Sequence, residues 1–183
     1  MTAQPATQIS VWHLDPAHSL AEFSVKHMMF TTVKGQFNEL RGTIHLDEAE
    51  PARSTVEAEI PAATVDTRAP DRDAHLRSPD FFDVEHHPTI TFRSTRVELT
   101  GEGRGRVHGE LTIRGVTRPV VLETVFNGRG KNPFGKEVIG FTARTTINRK
   151  EFGLTWNTPL EAGGWLVGDE VQILLEVQAV RQE

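Results

Sequence analysis

The sequence predicts an all-β antiparallel fold that closes on itself as an up-and-down barrel and carries one short helical insert. Three observations predict it. Apolar residues recur on every second position, as in Val56, Ala58, Ile60, then Ile90, Phe92, then Val107, Leu111 and Ile113, the period of a half-buried strand. Glycine-rich and Pro/Asx-rich reversals separate these runs with no intervening helix-period segment, which argues against parallel βαβ units. One polar excursion, residues 65–92 (VDTRAPDRDAHLRSPDFFDVEHHPTITF), interrupts the pattern. Closure follows from strand number, because a barrel removes the unpaired edges that invite aggregation; a two-sheet jelly roll is the architectural alternative.

Taken in order, Gln8–Leu14 and Ser19–His27 read as two strands joined at Asp15-Pro16-Ala17-His18 and paired antiparallel. In the second, Ala21, Phe23, Val25 and His27 share one face. Met28-Met29-Phe30 breaks the alternation before a strand over Val33–Leu46, whose parity shift between Phe37 and Leu40 predicts a bulge. Arg53–Pro61 follows, then the excursion. In it Pro70–Arg77 is the helix candidate, with Pro70 suited to a helix start, Asp71 and Asp73 near the positive dipole end, and Pro79 as the stop. Placed between two barrel strands, this insert at about residues 70–78 is expected to lie over one mouth as a lid. Thr89–Thr100, Gly105–Arg114, Thr117–Asn127, Val138–Asn148 and Glu170–Arg181 complete about nine strands, with Gly101–Gly105, Gly115 and Gly128–Gly135 supplying reversals.

Composition narrows the function. With 183 residues and 37% hydrophobic content the chain builds one core, so a single domain over residues 9–183 is expected behind a flexible tail over residues 1–8. The tail has neither a basic start nor an apolar stretch, and no window approaches a membrane span; the expectation is a cytoplasmic protein without stable membrane insertion. Zero cysteines exclude disulfides, thiolate metal ligands and a cysteine nucleophile. A net charge of −5 argues against nucleic acid as partner, and the scattered basic residues, Arg149 and Lys150 among them, read as solvated faces and turns. Ten Phe, three Trp and no Tyr favour a dry interior lining, since Phe brings no polar group to satisfy.

An ordered series of motifs adds to this: D-P-x-H-S (Asp15–Ser19), E-F-S-V-K-H (Glu22–His27), V-K-G-x-F (Val33–Phe37), D-x-H-L-R-S-x-D-F-F-D-V (Asp73–Val84), P-x-I-T-F-x-S (Pro88–Ser94), G-x-L-T-I-R-G-V-T (Gly109–Thr117) and N-R-K-E-F-G-L (Asn148–Leu154). Together they resemble the YceI family of lipocalin-like, polyisoprenoid-binding proteins. The resemblance implies an extended antiparallel eight-stranded lipocalin-like barrel around an apolar tunnel. That tunnel would bind, carry or sequester a long-chain isoprenoid lipid of polyprenyl or quinone type, without enzymatic action, in a homodimer. Many relatives are exported, and the missing signal sets this chain apart from them. No cofactor is implied beyond the lipid itself.

On that reading the ligand-lining residues are Phe23, Val25, Phe37, Phe92, Phe141, Ile147 and Trp156, with Met28, Met29 and Phe30 at one turn and Leu76, Phe81 and Phe82 from the insert. Each of them equally fits a packed barrel core. Phe81-Phe82 stand out, because two adjacent aromatics on a strand cannot both face inward. His18 and His75 are candidates for contact with a ligand head group. A zinc site built from His18, His27 and His75 is disfavoured, since no H-x-H or H-x-x-x-H pair occurs and His86-His87 would point to opposite faces of a strand. The competing function is an enzyme acting on a small apolar substrate, with His18 or His75 as general base and Asp73 or Asp80 as its partner. No G-x-S-x-G motif supports it. A jelly-roll carbohydrate binder is the third reading, weakened by the absence of Tyr.

Overall fold

A computed structural model describes residues 8–183. Residues 1–7 of the tail expected over residues 1–8 lie outside the described residues, and the carbonyl of Gln8, its last residue, accepts a bond from Glu48 N. Strand segments are β1 (Ile9–Leu14), β2 (Leu20–His27), β3 (Thr31–Phe37), β4 (Arg41–Asp47), β5 (Thr55–Pro61), β6 (Val65–Asp66), β7 (Thr89–Gly101), β8 (Arg104–Ile113), β9 (Val116–Lys131), β10 (Glu137–Asn148) and β11 (Val167–Arg181). The helix α1 spans Pro70–Arg77, the predicted bounds. Every pairing is antiparallel, in the order β1-β4-β5-β7-β8-β9-β10-β11, and β11 closes the ring against β1.

The two N-terminal segments are not a hairpin. β1 and β2 run in the same sense along β11: Leu14 faces Ala179 and, after five intervening residues, Leu20 faces Glu176 with only two intervening residues on β11. Asp15–Ser19 is therefore a bulge in one long stave. Pro16 has no N–H for the ladder, the Asp15 carboxylate accepts from Ala17 N, and Ser19 Oγ exchanges bonds with the Gln178 backbone. The expected antiparallel pair is thus corrected. β3 and β4 likewise form one stave broken at Asn38–Leu40, where the parity shift predicted a bulge, and β5 continues into β6 through a 3-10 turn at Ala62–Thr64. Eleven segments make eight staves.

Register sets the bore. Along the ladder, Gly130 faces Val138, Val138 faces Val180, and Val180 faces His13. The circuit continues through Thr43, Glu57, Arg93 and Glu110 to Pro119. One trip round the barrel thus shifts the register by 130 − 119 = 11 residues on β9. A stagger larger than the strand number tilts the staves steeply and widens the interior enough to hold a guest.

Two glycines help keep that interior open. A Cβ on Gly35 would lie 2.4 Å from Phe23 Cζ, and one on Gly109 would lie 2.4 Å from Phe92 Cζ. Both phenyl rings therefore lie over glycine backbone on the barrel wall, a packing that a side chain at either position would forbid.

Candidate functional site

The inward side chains enclose a cavity of about 740 Å³ running along the barrel. Its walls are the alternating apolar positions: Phe23, Val25 and Phe37 from the first staves, Phe92 from β7, and Phe141, Ala143 and Ile147 from β10. Leu175 and Val177 on β11 continue it. If each guest atom takes a share of volume like that of a water molecule, about 30 Å³, the space holds roughly 25 heavy atoms.

One end is covered by α1 and the turn after it. Asp73 is buried, and its Oδ1 accepts from the Thr67 N–H and the Thr67 hydroxyl. Arg72 donates to the Thr67 carbonyl and hydroxyl, and Arg77 donates to the Ala63 and Val65 carbonyls. Three polar side chains of one short helix thus fasten it to the Ala63–Thr67 segment around β6, leaving Leu76 and His75 on the cavity wall. Phe81 and Phe82 both line the cavity, in contrast to the expectation from strand geometry. The reason is that they stand in a turn, where Phe81 N bonds Ser78 O and Phe82 N bonds Leu76 O, so period-two alternation does not apply. Phe82 meets Phe37 edge-on at 5.5 Å between centroids, and Phe37 meets Phe23 at 5.6 Å. Phe81 packs 5.5 Å from Trp156.

Of the two candidate histidines, His75 lines the cavity and His18 does not. His75 Nε2 lies 2.8 Å from Asp80 Oδ2, with its ring edge-on to Trp156 and Phe81. His18 sits on the outer side of the Asp15–Ser19 bulge, paired with Asp15 at 2.8 Å, and that hydrogen bond holds the Asp15 carboxyl below its ordinary range. Met28, Met29 and Phe30 also fall outside the cavity lining. Both methionines have positive φ, 51° and 65°, so the hairpin turn they form aims their side chains into solvent.

Two features escaped the sequence reading. Arg149, placed there among solvated cations, is 3% exposed. Its guanidinium donates to the carbonyls of Leu154, Trp156, Val167 and Gly168, which organises the loop between β10 and β11 and sets Trp156 on the cavity wall. Burial pushes its pKa below the ordinary guanidinium range. Toward the opposite end, Trp12 is fully buried; its indole donates to Ser10 Oγ, which donates to Glu48. Arg129 and Arg181 lie 5.0 and 5.9 Å from its ring centroid and bridge to Glu48 and Glu137. The N-R-K-E-F-G-L run was the available signal for Arg149; nothing in the alternation marked Trp12 as special. Among the described residues no group of three or more His, Asp or Glu is placed to hold a metal ion.

The profile of the YceI-like domain matches residues 12–179. The chain belongs to the YceI family. A UPF0312 protein of Ectopseudomonas mendocina is 36% identical over 165 residues, 90% of this chain and 83% of that protein. The crystal structure of the Campylobacter jejuni YCEI protein aligns with a TM-score of 0.73 at 32% identity, covering 86% of this chain and 90% of that one. A polyisoprenoid binding domain from Saccharophagus degradans, implicated in plant cell wall breakdown, shares the fold with a TM-score of 0.70 at 14% identity, covering 96% and 99% of the two chains. The closed eight-stave barrel with one short helix is thus the YceI architecture. No helix among the described residues is long and apolar enough to cross a membrane.

Proposed function

We propose that this YceI protein binds and carries a long-chain isoprenoid lipid in its barrel, without enzymatic action. The observation that carries the reading is the cavity of about 740 Å³, walled by the alternating Phe, Leu, Ile and Val positions of all eight staves. An unfilled bore leaves its lining atoms without contact partners on one side. Water is a poor filler for walls that offer it few polar partners, so an apolar guest is favoured. Roughly 25 heavy atoms correspond to about five isoprene units, and the unsaturated, methyl-branched chain suits a bore lined by Phe rings and branched aliphatics. The polyisoprenoid binding domain of shared fold supports this choice of guest.

Transfer of the tail from a bilayer into this bore is close to neutral, since both are apolar; the head group therefore sets direction. His75, Arg72 and His27 are among the polar residues of the lining near the lid and are proposed to meet it. A homodimer is proposed with the carrier, to be read by light scattering. The second reading, an enzyme with His75 as general base, is favoured by one observation, the 2.8 Å bond from His75 to Asp80 at the cavity wall. Organic extraction of protein purified without detergent, followed by mass spectrometry, tests the carrier: recovery of intact isoprenoid at near one per chain supports it. A barrel recovered empty from several expression hosts overturns it. Turnover of the extracted lipid that disappears in His75→Ala would establish the enzyme instead.

A further inference from the structure

We propose that the Met28–Phe30 hairpin tip and Trp165 form a docking element that seats the lid end of the barrel on an anionic phospholipid bilayer. The reversal joining β2 to β3 is the three residues Met28–Phe30, with His27 facing Thr31 across it; it contains a tight turn closed by the bond from Phe30 N to His27 O, with Met28 at φ 51° and Met29 at φ 65°. Consecutive left-handed residues are the geometry in which Asn-Gly is favoured, because longer side chains are strained there. Two methionines in this turn oppose folding preference, and strain of this kind marks a role outside folding. The tip is also unusually apolar for solvent: Met29 is 57%, Phe30 80% and Trp165 54% exposed.

These side chains form one patch. Met28 N donates to Leu166 O at 2.8 Å, and the Met29 side chain lies so close over Gly164 that a Cβ there would be 2.5 Å from Met29 Cε. The patch adjoins the cavity, because its immediate chain neighbours Lys26, His27, Leu166 and Val167 line the bore.

A second copy of the chain is a poor occupant. Stable protein interfaces bury about 800 Å² per partner over roughly 20–30 residues a side, whereas this patch is one turn and one loop residue. A bilayer interface needs no more than that: Trp, Phe and Met at the level of the head groups, with lysines beside them for anionic lipid. Lys26 and Lys34 stand on the same hairpin; the Lys26 ammonium is held by the Thr32 hydroxyl, and Lys34 reaches Glu22 only at 4.0 Å. The purpose of docking, passage of cargo between bilayer and bore, rests on the function proposed above, but adhesion itself does not.

The test uses the full chain and vesicles of phosphatidylethanolamine and phosphatidylglycerol, read by sedimentation, with a parallel set carrying brominated acyl chains. The wild-type protein is expected to sediment with the vesicles, and brominated lipid to quench its tryptophan emission. Phe30→Ser should lower partitioning roughly tenfold, the effect of removing one Phe from an apolar contact. Trp165→Phe should abolish the quenching, since Trp12 is fully buried and Trp156 packs under the lid against His75 and Phe81. The double variant Met28→Asn/Met29→Gly should bind vesicles more weakly while melting at a higher temperature, opposite signs that a structural role for the methionines would not produce. Wild-type protein that ignores vesicles, or variants that partition equally, would overturn the proposal. So would variants that convert a dimer to a monomer with no vesicle binding at any stage, which would assign the patch to a second copy. Extraction of bound lipid is read separately: a loaded protein indifferent to vesicles overturns docking alone, and an empty one that adheres overturns the cargo alone.

Discussion

Ala143→Phe is a perturbation whose sign depends on what fills the barrel. Ala143 is buried on β10, lines the bore and faces Thr124 and Leu175 on the neighbouring staves, so a larger side chain there projects into the cavity. Phenylalanine adds six heavy atoms, which at about 30 Å³ each take up on the order of 180 Å³. That is close to a quarter of the 740 Å³ present. The space left holds roughly 19 guest atoms instead of roughly 25, a loss of about one isoprene unit. In protein stripped of lipid, the new ring covers apolar wall and should raise stability by about 2 kcal/mol, the usual worth of burying a Phe side chain. In loaded protein the same ring displaces guest, so stabilisation by ligand falls and the extracted lipid is shorter or scarcer. Urea unfolding of stripped and loaded samples, with mass spectrometry of the extract, reads both. A change of the same sign in both samples, or an unaltered extract, would refute the reasoning.

Other consequences follow from the groups that hold the bore in shape. Arg149→Met should cost at least about 3 kcal/mol in urea unfolding, because the Leu154, Trp156 and Gly168 carbonyls lose the guanidinium donor, while Val167 keeps the bond from Asn157. Asp73→Ala should cost about 2 kcal/mol and speed hydrogen exchange through α1, since the Thr67 N–H and hydroxyl lose their buried acceptor. Hydrogen bonds from Arg129 to Glu48 and from Arg181 to Glu137 hold both carboxyls below the ordinary value of 4.5. Their contribution is therefore present above about pH 4.5 and lost as pH falls below it; thermal melts between pH 6 and pH 3 should drop more steeply for wild type than for Glu48→Gln/Glu137→Gln. His86 moves oppositely: its bond to Asp83 raises it above 6.5, so that contribution is full below about pH 6.5 and fades as pH rises through the raised value. His86→Gln should flatten that part of the melting curve.

Much of the bore was legible in the sequence, because strand alternation alone assigns inward faces. Phe23, Val25, Phe37, Phe92, Phe141 and Ile147 all stand where the period places them, and Pro70, the paired aspartates and Pro79 fix α1 to its observed bounds. Conformations that leave the period were not legible. Asp15-Pro16-Ala17-His18 reads as a reversal, and only register with β11 shows it to be a bulge, which reduces nine expected strands to eight staves and turns His18 outward. Met28-Met29-Phe30 reads as apolar and therefore inward, yet positive φ at both methionines sends the tip into solvent. Arg149 looks like a surface cation until the chain folds back to bring four carbonyls around it. Gly35 and Gly109 look like ordinary strand glycines, and their need appears only when the Phe23 and Phe92 rings lie across them.

A crystal structure of protein purified without added lipid or detergent tests the occupied bore most directly. Continuous tubular density between the Phe23, Phe92 and Phe141 rings, ending near His75 beneath the lid, is the predicted result. Separate water peaks along the axis, or side chains collapsed across it from opposite walls, would contradict it.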